Sequence, residues 1–203
     1  ISQLNESQKA AVMYNEGPSL VIAGAGSGKT RVLTYKITYL LEVVGLKPYQ
    51  IMALTFTNKA AREMKDRIAQ MVGPEKAQYL AMGTFHAQFS KLLRTESAHI
   101  GLPSNFTVYD TADAKNLIKA IVKEMQLDEK TYKPSVVLSR ISSAKNKMVM
   151  PQQYDDANGR SLDFMMRIPK VKEIYTEYQR RVKQAGAMDF DDMLCLTNQL
   201  FMQ

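Results

Sequence analysis

Ser19-Leu20-Val21-Ile22-Ala23-Gly24-Ala25-Gly26-Ser27-Gly28-Lys29-Thr30 is the stretch that decides the architecture of this chain. A short apolar run, Leu20 to Ala23, ends in a glycine-rich turn. The turn closes on Gly28-Lys29-Thr30, and a segment with helical spacing follows from Arg31 to about Val43. Strand, loop and helix in that order make a phosphate-binding P-loop. Glycines let the backbone curl until successive N–H groups face one anion. The new helix adds its unsatisfied N–H groups and the positive end of its dipole. The Lys29 ammonium can reach β- and γ-phosphate oxygens, and the Thr30 hydroxyl can ligate Mg²⁺. The strict pattern G-x-x-x-x-G-K-[ST] has glycine where this chain has Ala23, which leaves Gly24, Gly26 and Gly28 to supply the turn. A plain Gly/Ser connection between strand and helix is the competing interpretation.

Reading outward, Leu4 to Tyr14 is expected to form a short helix, with Asn5 as cap and Gln8 three residues on. Ile51 to Phe56 is expected as a second strand and Leu80 to Thr84 as a third. Between them, Asn58 to Val72 carries Ala61, Met64, Ile68 and Met71 at helical spacing, and Gly73-Pro74 ends it. Alternating strands and helices over residues 1–88 imply an α/β fold with a parallel sheet. The character changes beyond that point. Helices are expected over Phe85–His99, Thr111–Met125, Pro134–Asn146 and Pro169–Ala185, with a short extended piece at Phe106–Tyr109. A polar loop spans Pro151 to Arg160, and Asp189 or Asp191 starts a last helix. The expected organisation is therefore a sheet-containing part (1–88), a helical module attached to it (89–188) and a last helix that runs to the chain end (189–203).

The chain has 203 residues, 45% of them apolar and 23% charged, which is ordinary for a globular protein with a real core. No apolar run reaches membrane-spanning length and no signal peptide opens the chain, so no membrane is expected. Cys195 is the single cysteine, which rules out an internal disulfide and suits a cytoplasmic location. The net charge of +7 (27 basic, 20 acidic residues) favours polyanionic partners. Two histidines, His86 and His99, with one distant cysteine make no metal site. The first residue is Ile1 rather than methionine, so the natural N-terminus is expected to be trimmed.

Five segments appear in a fixed order: LNESQKAAV, AGAGSGKTRVL, ALTFTNKAAREMKDRI, GTFHA and MDFDDML. Together they resemble the opening motifs of UvrD/Rep/PcrA-type superfamily 1 DNA helicases, from Leu4 to about Leu194. The resemblance implies a RecA-like P-loop motor domain carrying an inserted all-helical subdomain, with the last helix leading back toward the motor domain. It further implies binding of ATP and Mg²⁺ by Gln8, Ala23, Gly24, Ala25, Gly26, Ser27, Gly28, Lys29, Thr30 and Arg31. Gln8 would read the adenine edge, for which an amide offers both a donor and an acceptor. Lys29 and Thr30 would be the catalytic residues of this part, with Thr30 on the metal.

The resemblance also implies single-stranded DNA on the segment Thr55, Phe56, Thr57 and Asn58, and on Thr84 and His86. Both segments sit where a strand hands over to a helix, the usual place for binding loops in a parallel sheet. Phe56 could stack on a base, while the hydroxyls, the imidazole and the helix N-termini could hold phosphates. Lys145, Lys147, Lys170, Lys172, Arg180, Arg181 and Lys183 would suit duplex DNA at a single-strand/double-strand junction, unless they form a solvated helix face.

Hydrolysis by this mechanism also needs an acidic pair after an apolar strand. The chain has no such strand ending in Asp-Glu, and Asp191-Asp192 falls at a helix start instead. In the family the pair, and an arginine from a second motor domain, lie further along. The chain is thus expected to be an N-terminal portion, inactive by itself, of a translocating helicase with 3′ to 5′ polarity. A recombination helicase–nuclease is the alternative within the class. A P-loop kinase or other phosphotransferase is the alternative outside it, and would have no use for TFTNKAA and GTFHA. A degenerate module that holds DNA without nucleotide is a third, and the intact Lys29 and Thr30 argue against it.

Overall fold

The structure, a computed structural model, describes residues 3–155 and 159–202. The chain forms two compact units, Ile1–Gln88 and Phe89–Gln203.

The first unit begins with α1 (Glu6–Met13). Asn5 caps it reciprocally: its side chain accepts from the Gln8 backbone N–H, and the Gln8 side chain accepts from the Asn5 N–H. Helix α2 (Lys29–Glu42) packs on α1 and buries Thr34, Ile37 and Leu41. Strand β1 (Met52–Thr55) and strand β2 (Ala81–Thr84) pair in parallel, with Thr55 opposite Thr84. The crossover between them contains α3 (Asn58–Val72), as a parallel pair requires. Thr57 caps α3 through its hydroxyl, which accepts from the Ala60 N–H. Ala61, Met64 and Ile68 form its buried stripe, and Gly73, at φ +89°, ends it. A short helix α4 (Pro74–Ala77) leads to β2. The core gathers Ile37, Leu41, Ile51, Ala53, Met64, Ile68, Ala77 and Leu80. Ile68 is fully buried, a gain of about 1.5–3 kcal/mol over an exposed side chain.

The expected strand at Leu20–Ala23 is not a strand here. The segment pairs with neither β1 nor β2, and each sheet among the described residues has two strands. Leu20 is 85% and Ile22 89% exposed. An apolar β-branched run supplies strand propensity, but a strand exists only with a partner for its ladder, and propensity cannot supply one.

Helix α5 (Phe85–Thr95) starts within the first unit and runs on into the second, where a short α6 (Ser97–Ile100) and β3 (Thr107–Tyr109) follow. Helix α7 (Thr111–Glu124) is capped by Asp110, whose carboxylate accepts from the Ala112 and Asp113 N–H groups. Helix α8 (Pro134–Lys145) starts on proline, whose fixed φ suits a first turn. Of the polar loop, Pro151–Gln153 forms a single tight turn and residues 156–158 lie outside the described part. Helices α9 (Gly159–Met165) and α10 (Val171–Gln184) follow, then β4 (Ala187–Asp189) and α11 (Phe190–Phe201). Strand β4 pairs in parallel with β3, so this unit is not all-helical, which corrects the expectation. A three-residue strand is too short to show a period of two, and it is specified by its distant partner. The core stripe of α10 is Val171, Ile174, Tyr175, Tyr178 and Val182.

Of the basic side chains expected to suit duplex DNA, Lys145, Lys170, Lys172, Arg180 and Arg181 are matched by carboxylates of this unit. Arg180 and Arg181 both bind Glu177, Arg181 also binds Glu124, Lys170 binds Glu173 and Lys172 binds Asp155. Lys145 is 1% exposed and ion-paired with Asp189 (2.7 Å) and Asp192 (2.8 Å), so it is not a surface cation for DNA. Its two carboxylates close the capping box of α11, each accepting from the other residue's N–H. Tyr178 donates to Asp189 and Gln179 to Asp192, which ties α8, α10, β4 and α11 together.

Hydrogen bonds from Arg180 and Arg181 hold the Glu177 carboxyl down at about 2. A carboxyl depressed in the folded state stabilises it above the ordinary glutamate range, and that stability is lost as pH falls through about 2. Glu177→Gln should therefore flatten the acid side of a stability–pH curve between about pH 4.5 and 2. The change should stay within about 1 kcal/mol because the pairs face solvent. Urea midpoints across that window measure it.

Candidate functional site

Glycine-rich loop 23–28 delivers the chain into α2 with Gly28 as N-cap, at φ +84° and ψ 25°. A side chain at that position would be strained, and its Cβ would stand 3.3 Å from Gln8 Nε2. No side chain caps this helix end. The first-turn N–H groups of Lys29, Thr30 and Arg31 are those that no helix can satisfy internally; Val32 is the first to reach back, to the Gly28 carbonyl at 2.9 Å. Lys29 bends over the loop, donating from Nζ to the Ala23 carbonyl (3.1 Å) and the Gly24 carbonyl (2.6 Å). The loop is braced by Ser27, whose hydroxyl donates to the Gly24 carbonyl at 2.7 Å.

Gln8 reaches this loop from α1. Its Nε2 donates to the Ser27 carbonyl at 3.1 Å while its Oε1 holds the Asn5 N–H. Arg31 and Tyr35 on α2 both donate to Gln3 Oε1, at 3.0 and 3.1 Å. A cavity of about 530 Å³ opens beside the loop, lined among others by Asn5, Gln8, Ile22, Ala23, Ser27 and Lys29. Lys36, also on its wall, donates to the Tyr14 carbonyl and Asn15, and burial pushes its ammonium below the usual lysine range. Ala23, Gly24, Ala25, Gly26, Ser27, Gly28, Lys29, Thr30 and Arg31 thus stand together, with Gln8 against them.

The donor set fits a phosphate: an ammonium, unshielded first-turn amides and a glycine cap. Thr30 is exposed at the start of α2, where its hydroxyl could be one ligand of a phosphate-bound Mg²⁺. Among the described residues there is no group of three His, Cys, Asp or Glu side chains able to hold a metal by themselves.

A second arrangement is built on the parallel strand pair. In register, the C-terminal ends of β1 and β2 bring Thr55 beside Thr84, and with them the N-termini of α3 and α5. Phe56, 92% exposed, projects from the first junction and packs against Phe85 of the second, ring centres 5.8 Å apart and tilted by 42°. Thr57 and Asn58 are exposed beside it, and Thr84 and His86 are half-buried. Thr84 accepts from the Ala87 N–H through its hydroxyl. Thr55 is only 8% exposed, and its hydroxyl turns inward to the carbonyls of Thr57 (3.0 Å) and Gly83 (3.5 Å). Two further residues belong to this arrangement. Phe85 lay within the quoted GTFHA segment as an aromatic of unassigned role. Gln88 carries no signal in sequence, since its importance rests on a fold-back to the strand before it.

One unit therefore combines an anion cradle on a glycine loop with an aromatic-tipped pair of strand-to-helix junctions. The chain belongs to the UvrD/REP helicase family: the UvrD/REP helicase N-terminal domain matches residues 4–203. It is 42% identical over 198 residues to the ATP-dependent DNA helicase PcrA of Leuconostoc citreum, covering 98% of this chain and 26% of that protein. The PcrA of Staphylococcus epidermidis is 43% identical over 201 residues, 99% of this chain and 27% of that protein. The chain spans about a quarter of the length of the curated relatives it matches. No helix among the described residues is long and apolar enough to cross a membrane.

Proposed function

We propose that this chain is the nucleotide- and DNA-gripping part of an ATP-dependent DNA helicase with a RecA-like P-loop motor domain and an inserted second unit. The observation that carries the DNA side is the placement of Phe56, almost wholly exposed beside Phe85 at the joined ends of β1 and β2. An apolar ring held in water by a rigid turn is costly unless something covers it, and a nucleobase face fits. Thr57, Asn58, Thr84, His86 and the N-termini of α3 and α5 offer hydrogen bonds to phosphates without regard to base. A small-molecule kinase would have no use for this surface.

On the nucleotide side, Lys29 moves from the Ala23 and Gly24 carbonyls to the β- and γ-phosphates, joined by the first-turn amides of α2. Thr30 supplies one oxygen to Mg²⁺, and Gln8 holds the adenine edge while staying linked to the loop at Ser27. Bound ATP supplies the free energy of γ-phosphoryl transfer to water. Translocation is the coupling of that transfer to a change in grip on single-stranded DNA, and unwinding follows at a single-strand/double-strand junction, with 3′ to 5′ polarity by family resemblance.

The test is fluorescence anisotropy of labelled oligo(dT) titrated with the chain across a salt series. Phe56→Ala should weaken binding by roughly 1–3 kcal/mol, about 5- to 150-fold, without changing the slope of affinity against salt. The slope should hold because stacking releases no counterions. Unchanged affinity in Phe56→Ala, or no binding by the wild type at low salt, would remove DNA from these junctions.

A further inference from the structure

We infer that Gln88 and Thr55 are positioning residues that lock the two strand-to-helix junctions into one rigid grip, and that Gly83 is glycine because the Gln88 amide occupies the space of its side chain. The inference rests on the proposed DNA site and names what shapes it.

Gln88 lies one turn into α5 and is buried, yet it carries an amide. A buried amide is costly without partners, so its placement is specific. Its Nε2 donates to the Met82 carbonyl of β2 at 2.9 Å. Folding back this way lays the amide against Gly83, where an added Cβ would stand 2.6 Å from Nε2. The Gly83 backbone is not in the left-handed region, so an alanine there meets no conformational strain, and the three atoms nearest its Cβ all belong to the Gln88 side chain.

Across the sheet, buried Thr55 is shared between the Thr57 carbonyl of its own junction and the Gly83 carbonyl of the other. Thr57 and Thr84 then cap α3 and α5 from the two junctions. The Thr55 hydroxyl thus links the Thr57 and Gly83 carbonyls, and Gln88 of α5 holds the adjoining Met82 carbonyl. Its direct consequence is the separation of the Phe56 and Phe85 rings, which the two junctions set between them. Neither Thr55 nor Gln88 needs to touch DNA to fix that spacing.

The experiment is a two-residue cycle on the chain: Gly83→Ala, Gln88→Ala and the double variant, with Phe56→Ala and Gln88→Met alongside. Two quantities are read, the thermal midpoint and the affinity for oligo(dT). Gly83→Ala should lower the midpoint and weaken DNA about fivefold to tenfold, because the amide must leave Met82. In the Gln88→Ala background the same alanine should cost nothing, since the methyl enters vacated space. Gln88→Met, which keeps the volume and loses the amide, should weaken DNA with a smaller loss of midpoint than Gln88→Ala. Additive losses in the cycle, or a Gly83→Ala variant indistinguishable from wild type, would overturn the lock. A cycle that couples in the midpoint but leaves DNA affinity flat, while Phe56→Ala still weakens DNA, would overturn the positioning role alone. Affinity unmoved by Phe56→Ala would overturn the DNA site itself, and the grip with it.

Discussion

Lys29→Ala is expected to weaken binding of a fluorescent ATP analogue by about 10- to 150-fold, with the thermal midpoint of the chain nearly unchanged. A charged hydrogen-bond donor contributes about 1.5–3 kcal/mol to an anion, which gives that range. Among the described residues the ammonium donates to the Ala23 and Gly24 carbonyls and is exposed, so its removal leaves no buried group unsatisfied. The loop retains its other braces, the Ser27 hydroxyl on Gly24 and the Gln8 amide on Ser27. Lys29→Arg should not rescue, because a planar fork cannot replace a compact charge inside a narrow turn. Equal affinity in wild type and variant would place the nucleotide elsewhere.

The largest effect on stability should come from Lys145→Met. The substitution preserves much of the apolar stem and removes the cation paired with Asp189 and Asp192 in the buried cluster of the second unit. Removing one partner of a buried ion pair typically costs about 3–5 kcal/mol, because the other charge stays behind. Burial opposes charge on Lys145, but Asp192 and Asp189 outweigh it and hold the ammonium above its usual range. Burial likewise opposes charge on Asp189, and the nearby Lys145 charge overcomes it, so that carboxyl stays below the usual range. Burial already holds the Asp192 carboxyl above its usual range despite Lys145, and without the lysine it would prevail for Asp189 as well. Their folded-state pKa would then lie above the unfolded value, and the variant should regain stability as pH falls through that raised range. Guanidinium melts at neutral and mildly acidic pH test this. A loss under about 1 kcal/mol, or one that deepens in acid, would show that the cluster does not depend on the lysine charge.

Much of the architecture was legible where the signal is local. The Asn5/Gln8 capping box, the Asn58–Val72 helix and the parallel pairing of β1 and β2 follow from residues within one turn or one crossover. Legibility fails where a partner is distant. Leu20–Ala23 looks like a strand by composition and lacks a ladder, β4 is specified by β3, and Lys145 reads as a surface cation until Asp189, 44 residues on, is seen against it. The site divides the same way. The loop from Ala23 to Arg31 and the ring of Phe56 were open to reading, since glycine spacing and an aromatic at a strand end are local marks. The inward turn of Thr55 and the role of Gln88 were not, because both depend on carbonyls that the fold brings into reach.

Gln3, Leu4, Asn5 and Gln8 bind the helix and loop that follow them: Gln3 accepts from Arg31 and Tyr35, Leu4 is buried, and Gln8 clasps Ser27. Anyone trimming this protein to a minimal nucleotide-binding piece is therefore constrained at its front end. A cut placed just ahead of the glycine loop would keep every residue of the P-loop signature and discard the clamp that shapes it. A boundary that keeps the proposed nucleotide site intact lies before Gln3, because Gln3, Asn5 and Gln8 brace the loop and helix from the front.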